Sequence, residues 1–128
     1  QINYRAAEGL TPILSAAEIL EVQKQVEKVQ VHVALLEYAM RLTRLTRSSD
    51  QLILGISPRG TMALYRAAQA YALLQGRDYC IPDDIKRLVV PVFSHRVIIN
   101  TTFSSPLPKS TEAESVIRGL MEEVEVPL

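Results

Sequence analysis

Tryptophan is absent from this chain, and cysteine occurs once, at Cys80. A single thiol excludes an internal disulfide and fits a reducing compartment, so a packed core must hold the fold. An excess of one charge is also missing, because 14 basic side chains face 14 acidic ones. Such a balance gives no general attraction to nucleic acid or to an anionic membrane. No apolar run is long enough to cross a bilayer and no signal peptide is visible, so the expected localisation is cytoplasmic, without membrane insertion. The phosphate loop G-x-x-x-x-G-K-[ST] does not occur. His32 and His95 have no Cys, His or carboxylate partner at metal-ligand spacing, so no metal site is expected. Gly55 and Ser57 begin a G-x-S-x-G nucleophile elbow, but the last position is Arg59 and the motif fails. Asp83 and Asp84 are adjacent on a helix and point apart, and the first-turn dipole accounts for both. By itself the chain is not expected to be an enzyme.

What remains is a helical pattern. The 128 residues are 48% hydrophobic, enough for one domain with a real core. The chain starts on Gln1, which points to a piece of a longer protein, with residues 1–14 as its lead-in. Ser15-Ala16-Ala17-Glu18 is a capping box, and Ile19, Val22, Val26 and Val29 follow at helical spacing. Val29 to Val33 alternates and reads as a short extended piece. A second helix covers Ala34 to Arg47 with Leu35, Tyr38, Ala39, Leu42 and Leu45 inward, and Leu52-Ile53-Leu54 is an apolar stretch behind a polar loop. A third helix runs between Ser57-Pro58 and Gly76, apolar nearly all round and therefore central. Pro82-Asp83-Asp84 opens a fourth, which Pro91 should kink or end early. Val97-Ile98-Ile99 leaves it extended. Thr111-x-x-Glu114 is a further capping box for a fifth helix. The expected fold is an all-α bundle of about five helices, with a minimal β-bridge between the Val31 and Cys80 regions.

One residue breaks the helix rules. Arg59 lies in the first turn of the third helix, where a cation is disfavoured by about 0.3–1 kcal/mol. The same turn attracts anions through its free N–H groups, and a guanidinium above them adds a donor fork that suits phosphate. Ser57, Pro58, Arg59 and Gly60 are therefore the candidate phosphate-binding residues. On helix chemistry alone, a solvated or ion-paired Arg59 is the commoner explanation. Arg41, Arg44 and Arg47 on the second helix pose a related question, as a solvated stripe or a contact with a neighbouring subunit.

The stretch Leu54-Gly55-Ile56-Ser57-Pro58-Arg59-Gly60, its Ala-rich helix, and Gly76-Arg77-Asp78-Tyr79-Cys80-Ile81-Pro82-Asp83-Asp84-Ile85 together resemble the C-terminal lid of MoxR-family AAA+ ATPases. That family writes G-A-S-P-R-A, a helix, then G-R-D-Y-V-x-P-D-D-V. Pro12-Ile13-Leu14-Ser15, Tyr38 through Arg47, Pro91 through Arg96, and the closing Glu123 to Pro127 follow in family order. The departures are Ile56 and Gly60 where the family has alanine, and Cys80 where it has valine or threonine.

The resemblance implies that residues 1–14 link to an AAA+ core carrying the Walker residues, and that 15–128 form the helical lid. It implies that Arg59 is the sensor 2 arginine, contacting ATP held with Mg2+ in the full-length ATPase; the fragment alone is not expected to hold a cofactor. It further implies a ring, commonly hexameric, contacts with the chain's own core and neighbouring subunits, a von Willebrand factor A-domain partner, and chaperone-like maturation or activation of protein complexes. Two competing readings are a nucleotide-independent helical adapter and a DNA-binding bundle, the latter disfavoured by zero net charge and the lack of a basic recognition helix.

Overall fold

A computed structural model of the chain describes residues 9–103 and 109–127, with the side chains at 103 and 109 excepted. The lead-in over 1–8 and the middle of the Ser/Thr/Pro-rich loop, 104–108, lie outside the described residues.

Each helix begins and ends where local chemistry allows. In α1 (Ala16–Val26), the Ser15 hydroxyl accepts from Glu18 N–H at 3.2 Å while Glu18 accepts from Ser15 N–H at 2.7 Å, completing the expected capping box. In α2 (Val33–Ser48), His32 is the N-cap, its Nδ1 accepting from Ala34 N–H at 3.2 Å. That gives one of the two isolated histidines a structural task. The central helix α3 (Pro58–Leu74) ends in a Schellman motif: Arg77 N–H reaches Ala72 O, Gly76 N–H reaches Leu73 O, and Gly76 takes φ +74°. Only glycine adopts that φ without strain.

Helix α4 (Pro82–Phe93) contains Pro91 and passes into a 3-10 turn at Ser94–Arg96. It therefore continues two residues past the proline. The outgoing carbonyls are taken up by side chains four residues on. Ser94 Oγ donates to Val90 O at 2.7 Å, His95 Nδ1 lies 3.1 Å from Pro91 O, and Arg96 Nε donates to Val92 O at 3.0 Å. Basic groups also suit this negative end of the helix dipole. Helix α5 spans Lys109–Glu122. Thr111 is thus inside the helix rather than at its cap, which corrects the start expected from the T-x-x-E pattern.

The elements form an all-α bundle with very little sheet. Packed against α1, α2 and α4, helix α3 is the centre, and α5 covers α2 and α4. Leu64, Ala68 and Ala72 of α3 meet Tyr38 and Leu42 of α2, Ile85, Val89 and Phe93 of α4, and Ile117 of α5 in one core. Alanine at two of these α3 positions lets neighbouring helices approach closely. The expected bridge is present as a parallel pairing of Gln30 with Tyr79, and Gln69 of α3 donates its side-chain amide to Val29 O at 2.8 Å beside it.

Two features depart from the sequence pattern. The extended pieces β1 (Leu52–Leu54) and β2 (Ile98–Ile99) pair antiparallel, Leu52 opposite Ile99 and Leu54 opposite Ile98, with an irregularity between them. And α1 buries none of its residues: Ile19 and Val22 remain 42% and 41% exposed. Its apolar stripe is real, and α3 is the element that packs against it. No helix among the described residues is long and apolar enough to cross a membrane.

Candidate functional site

The first turn of α3 is set in place by close approach on the α2 side. A Cβ on Gly55 would lie 2.5 Å from Thr46 O and 2.7 Å from Arg47 Cα, both backbone atoms, so only glycine lets the turn after β1 lie on the end of α2. Thr46 Oγ1 then accepts from Ile56 N–H at 2.9 Å, and the hydroxyls of Thr43 and Thr61 meet at 2.9 Å one turn further in. Ile56 is fully buried beneath the turn. This packing fixes Ser57 in an extended conformation, with Pro58 at the first helical position.

The four predicted residues divide the work. Ser57 is the cap: its Oγ accepts from Gly60 N–H at 3.3 Å and its carbonyl accepts from the N–H groups of Gly60 and Thr61. Pro58 has no N–H to offer. Gly60 is buried, and its contribution is space, since a Cβ there would stand 2.7 Å from Ile56 Cγ2 and 3.6 Å from Arg96 Cδ. That leaves Arg59. Its backbone N–H has no acceptor and its exposed guanidinium no carboxylate partner among the described residues. A solvated arginine therefore stands against its own helix dipole without the ion pair that would account for it.

Sequence reasoning did not connect two nearby arginines to this turn. Arg47, at the end of α2, lines a cleft of ≈ 320 Å³ with Leu54, Gly55, Ser57 and Pro58. The Arg96 stem also comes near, its Cδ 3.6 Å from where a Gly60 Cβ would stand. Neither has a carboxylate partner among the described residues. Arg44 is unpaired as well, whereas Arg41 reaches Glu37 at 3.9 Å in an exposed pair worth little. Nothing in residue spacing links position 96 to position 60; the contact exists only because α4 packs along α3.

The G-R-D-Y and P-D-D residues form a separate, structural cluster. Arg77 donates to both carboxylate oxygens of Asp84, at 2.8 and 2.6 Å, and to Tyr79 O at 2.9 Å. Asp84 also accepts from Ile81 N–H at 2.8 Å, closing the start of α4. Burial pushes the Asp84 carboxyl up, but Arg77 and the Ile81 N–H outweigh it and hold the group below its ordinary value. Burial pushes the neighbouring Cys80 thiol up to about 11, which makes it a poor nucleophile.

Comparison with known proteins places these residues in context. The AAA lid domain family matches residues 44–119. The "uncharacterized protein YeaC" of Bacillus subtilis is 36% identical over 94% of this chain and 37% of its own length. The chaperone MoxR1 of Mycobacterium tuberculosis is 33% identical over 99% of this chain and 36% of its own. A crystal structure of a "putative ATPase" from Cytophaga hutchinsonii superposes with a TM-score of 0.77 at 26% identity, covering 92% of this chain and 38% of that one. The chain thus spans little more than a third of the relatives it matches.

Proposed function

The chain belongs to the AAA lid domain family, and from that premise we propose that it is the C-terminal lid of a MoxR-type AAA+ ATPase. In this reading residues 1–14 lead from the nucleotide-binding core and residues 15–128 form the lid that closes over ATP. Arg59 is the sensor 2 residue and holds the terminal phosphate through its guanidinium, with its open N–H beside it. Ser57 and Pro58 shape that turn and Gly60 gives it room. Mg2+ and the attacking water belong to the core. Closure of the lid couples hydrolysis to chaperone-like maturation or activation of protein complexes, in a cytoplasmic and commonly hexameric ring, with a von Willebrand factor A-domain protein as partner. The name of the M. tuberculosis relative supports the chaperone role.

The observation that carries the reading is the unpaired Arg59 in the first turn of α3. A bound phosphate supplies the negative charge the turn lacks. The test is Arg59→Ala in the full-length protein, with ATP turnover as the readout. Turnover should fall by about tenfold or more, while the lid keeps its helical circular dichroism. Unchanged turnover overturns the assignment. One observation favours the adapter reading, the half-exposed stripe of Ile19 and Val22 on α1. That reading requires partner binding that is indifferent to nucleotide and to Arg59.

A further inference from the structure

We propose that the cavity where α2, α4 and α5 meet is a binding site for a free α-amino acid with an apolar side chain. Arg118 and the Tyr38 hydroxyl take its carboxylate, and Glu122 takes its ammonium group. The cavity has a volume of ≈ 310 Å³ and is lined by Tyr38, Lys86, Arg118, Met121, Glu122 and Val126. None of these lies in the first turn of α3, so the site stands apart from the phosphate reading of that turn.

Tyr38 is the residue that points to a ligand. It is 1% exposed and belongs to the core. Its hydroxyl makes no hydrogen bond among the described residues. Yet no side-chain nitrogen or oxygen there is both sealed from solvent and without a partner. The little exposure that Tyr38 keeps therefore belongs to the hydroxyl, which opens into the cavity. Burial pushes this hydroxyl above its ordinary pKa, so it stays protonated at neutral pH and can donate as well as accept. Packing alone asks only for the ring, and a buried tyrosine hydroxyl usually has a partner. The space in front of it is far larger than one bridging water needs, and lies at the lower end of small-ligand sites, about 300–1,000 Å³.

The charges that line the cavity are of both signs. Arg118 and Glu122 stand four residues apart on α5, a spacing at which opposite charges can pair. No ion pair joins them, and neither has another charged partner among the described residues. Lys86 is held by Asp83 at 3.6 Å, which leaves Arg118 as the cation free for a carboxylate. Met121 and Val126 pack against the core and give the cavity an apolar wall. A lone carboxylate would be opposed by Glu122, and a lone amine by Arg118. A molecule that carries both charges close together on an apolar body satisfies the arginine, the glutamate and the hydroxyl at once. An apolar α-amino acid in its zwitterionic form is such a molecule.

The experiment titrates the chain with L-leucine and with its two halves, sodium isovalerate and isoamylamine, following backbone amide and arginine Nε–H resonances by NMR. All three probes share one apolar body, so their differences report the charged groups. Saturable shifts are expected at Tyr38, Arg118 and Glu122, with leucine bound about tenfold more tightly than either half. Tyr38→Phe removes a hydroxyl that no protein group uses. It should weaken leucine about three- to tenfold without lowering the melting temperature. Arg118→Gln should bring leucine down to the level of isoamylamine, and Glu122→Gln should bring it down to the level of isovalerate. Arg59→Ala should leave leucine binding unchanged, so this site and the sensor assignment stand or fall separately. Shifts that never saturate, or leucine bound no better than its halves, overturn the proposal. A Tyr38→Phe variant that binds like wild type overturns it too, and leaves the hydroxyl merely hydrated.

Discussion

Gly60→Ala places a methyl group where Ile56 already is. Replacing glycine by alanine inside a helix ordinarily stabilises by about 1 kcal/mol. Here the new Cβ would lie 2.7 Å from Ile56 Cγ2, whereas carbon atoms rest at about 3.5–4.0 Å. Ile56 is 0% exposed, so it has no empty space to retreat into. Overpacking of this kind costs about 1–3 kcal/mol, which exceeds the propensity gain. The single variant should therefore be about 1 kcal/mol less stable than wild type. Ile56→Ala alone should cost about 2–4 kcal/mol through the cavity it leaves. In that background the clash is gone, and Gly60→Ala becomes stabilising by up to about 1 kcal/mol. The expected coupling is then about 2 kcal/mol, well above the 0.3–0.5 kcal/mol scatter of independent sites. Urea unfolding of the four proteins of the cycle, followed by far-UV circular dichroism, measures it. If Gly60→Ala stabilises equally in both backgrounds, the steric argument is wrong. The double variant restores the alanines that the MoxR pattern carries at both positions, so the two departures would be one compensated change.

The Arg77–Asp84 pair should make stability fall in acid. Because the folded carboxyl is held below its ordinary value of 3.8, its contribution is complete above that value and is lost as the pH falls through the lower, folded one. Arg77→Ala should cost about 3 kcal/mol at pH 7, since it strands a buried carboxylate. Asp84→Asn should flatten the acid limb of the urea midpoint between about pH 2 and 5, and a limb parallel to wild type would refute this. Cys80, buried and with its thiol pushed up to about 11, should resist alkylation by iodoacetamide at pH 8 until the chain unfolds. Labelling at the rate of a free thiol in the native protein would contradict that burial.

Much of the fold was legible because its punctuation is local. The Ser15 box, the Ser57-Pro58 start and the Gly76 stop each depend on atoms within five residues of one another, and each forms as the pattern predicts. The continuous small and apolar surface of α3 was enough to place that helix at the centre. Arg59 stood out for the same reason, since its conflict is with the dipole of its own helix.

Tertiary structure decided what depends on distant partners. Whether the stripe on α1 would be covered depended on which elements pack on it, and α3 leaves it partly exposed. The pairing of β1 with β2 joins residues more than forty positions apart, too few on each side to signal a sheet. Arg77 could be tied to Asp84, and Arg96 to Gly60, only once helix packing had brought them together. Periodicity fixes which face of a helix is apolar and caps fix where it ends, because both are short-range. Which side chains then meet across two helices is set by how those faces dock, and that alone brings the Arg96 stem near Gly60 and Arg47 into a cleft with Ser57 and Pro58.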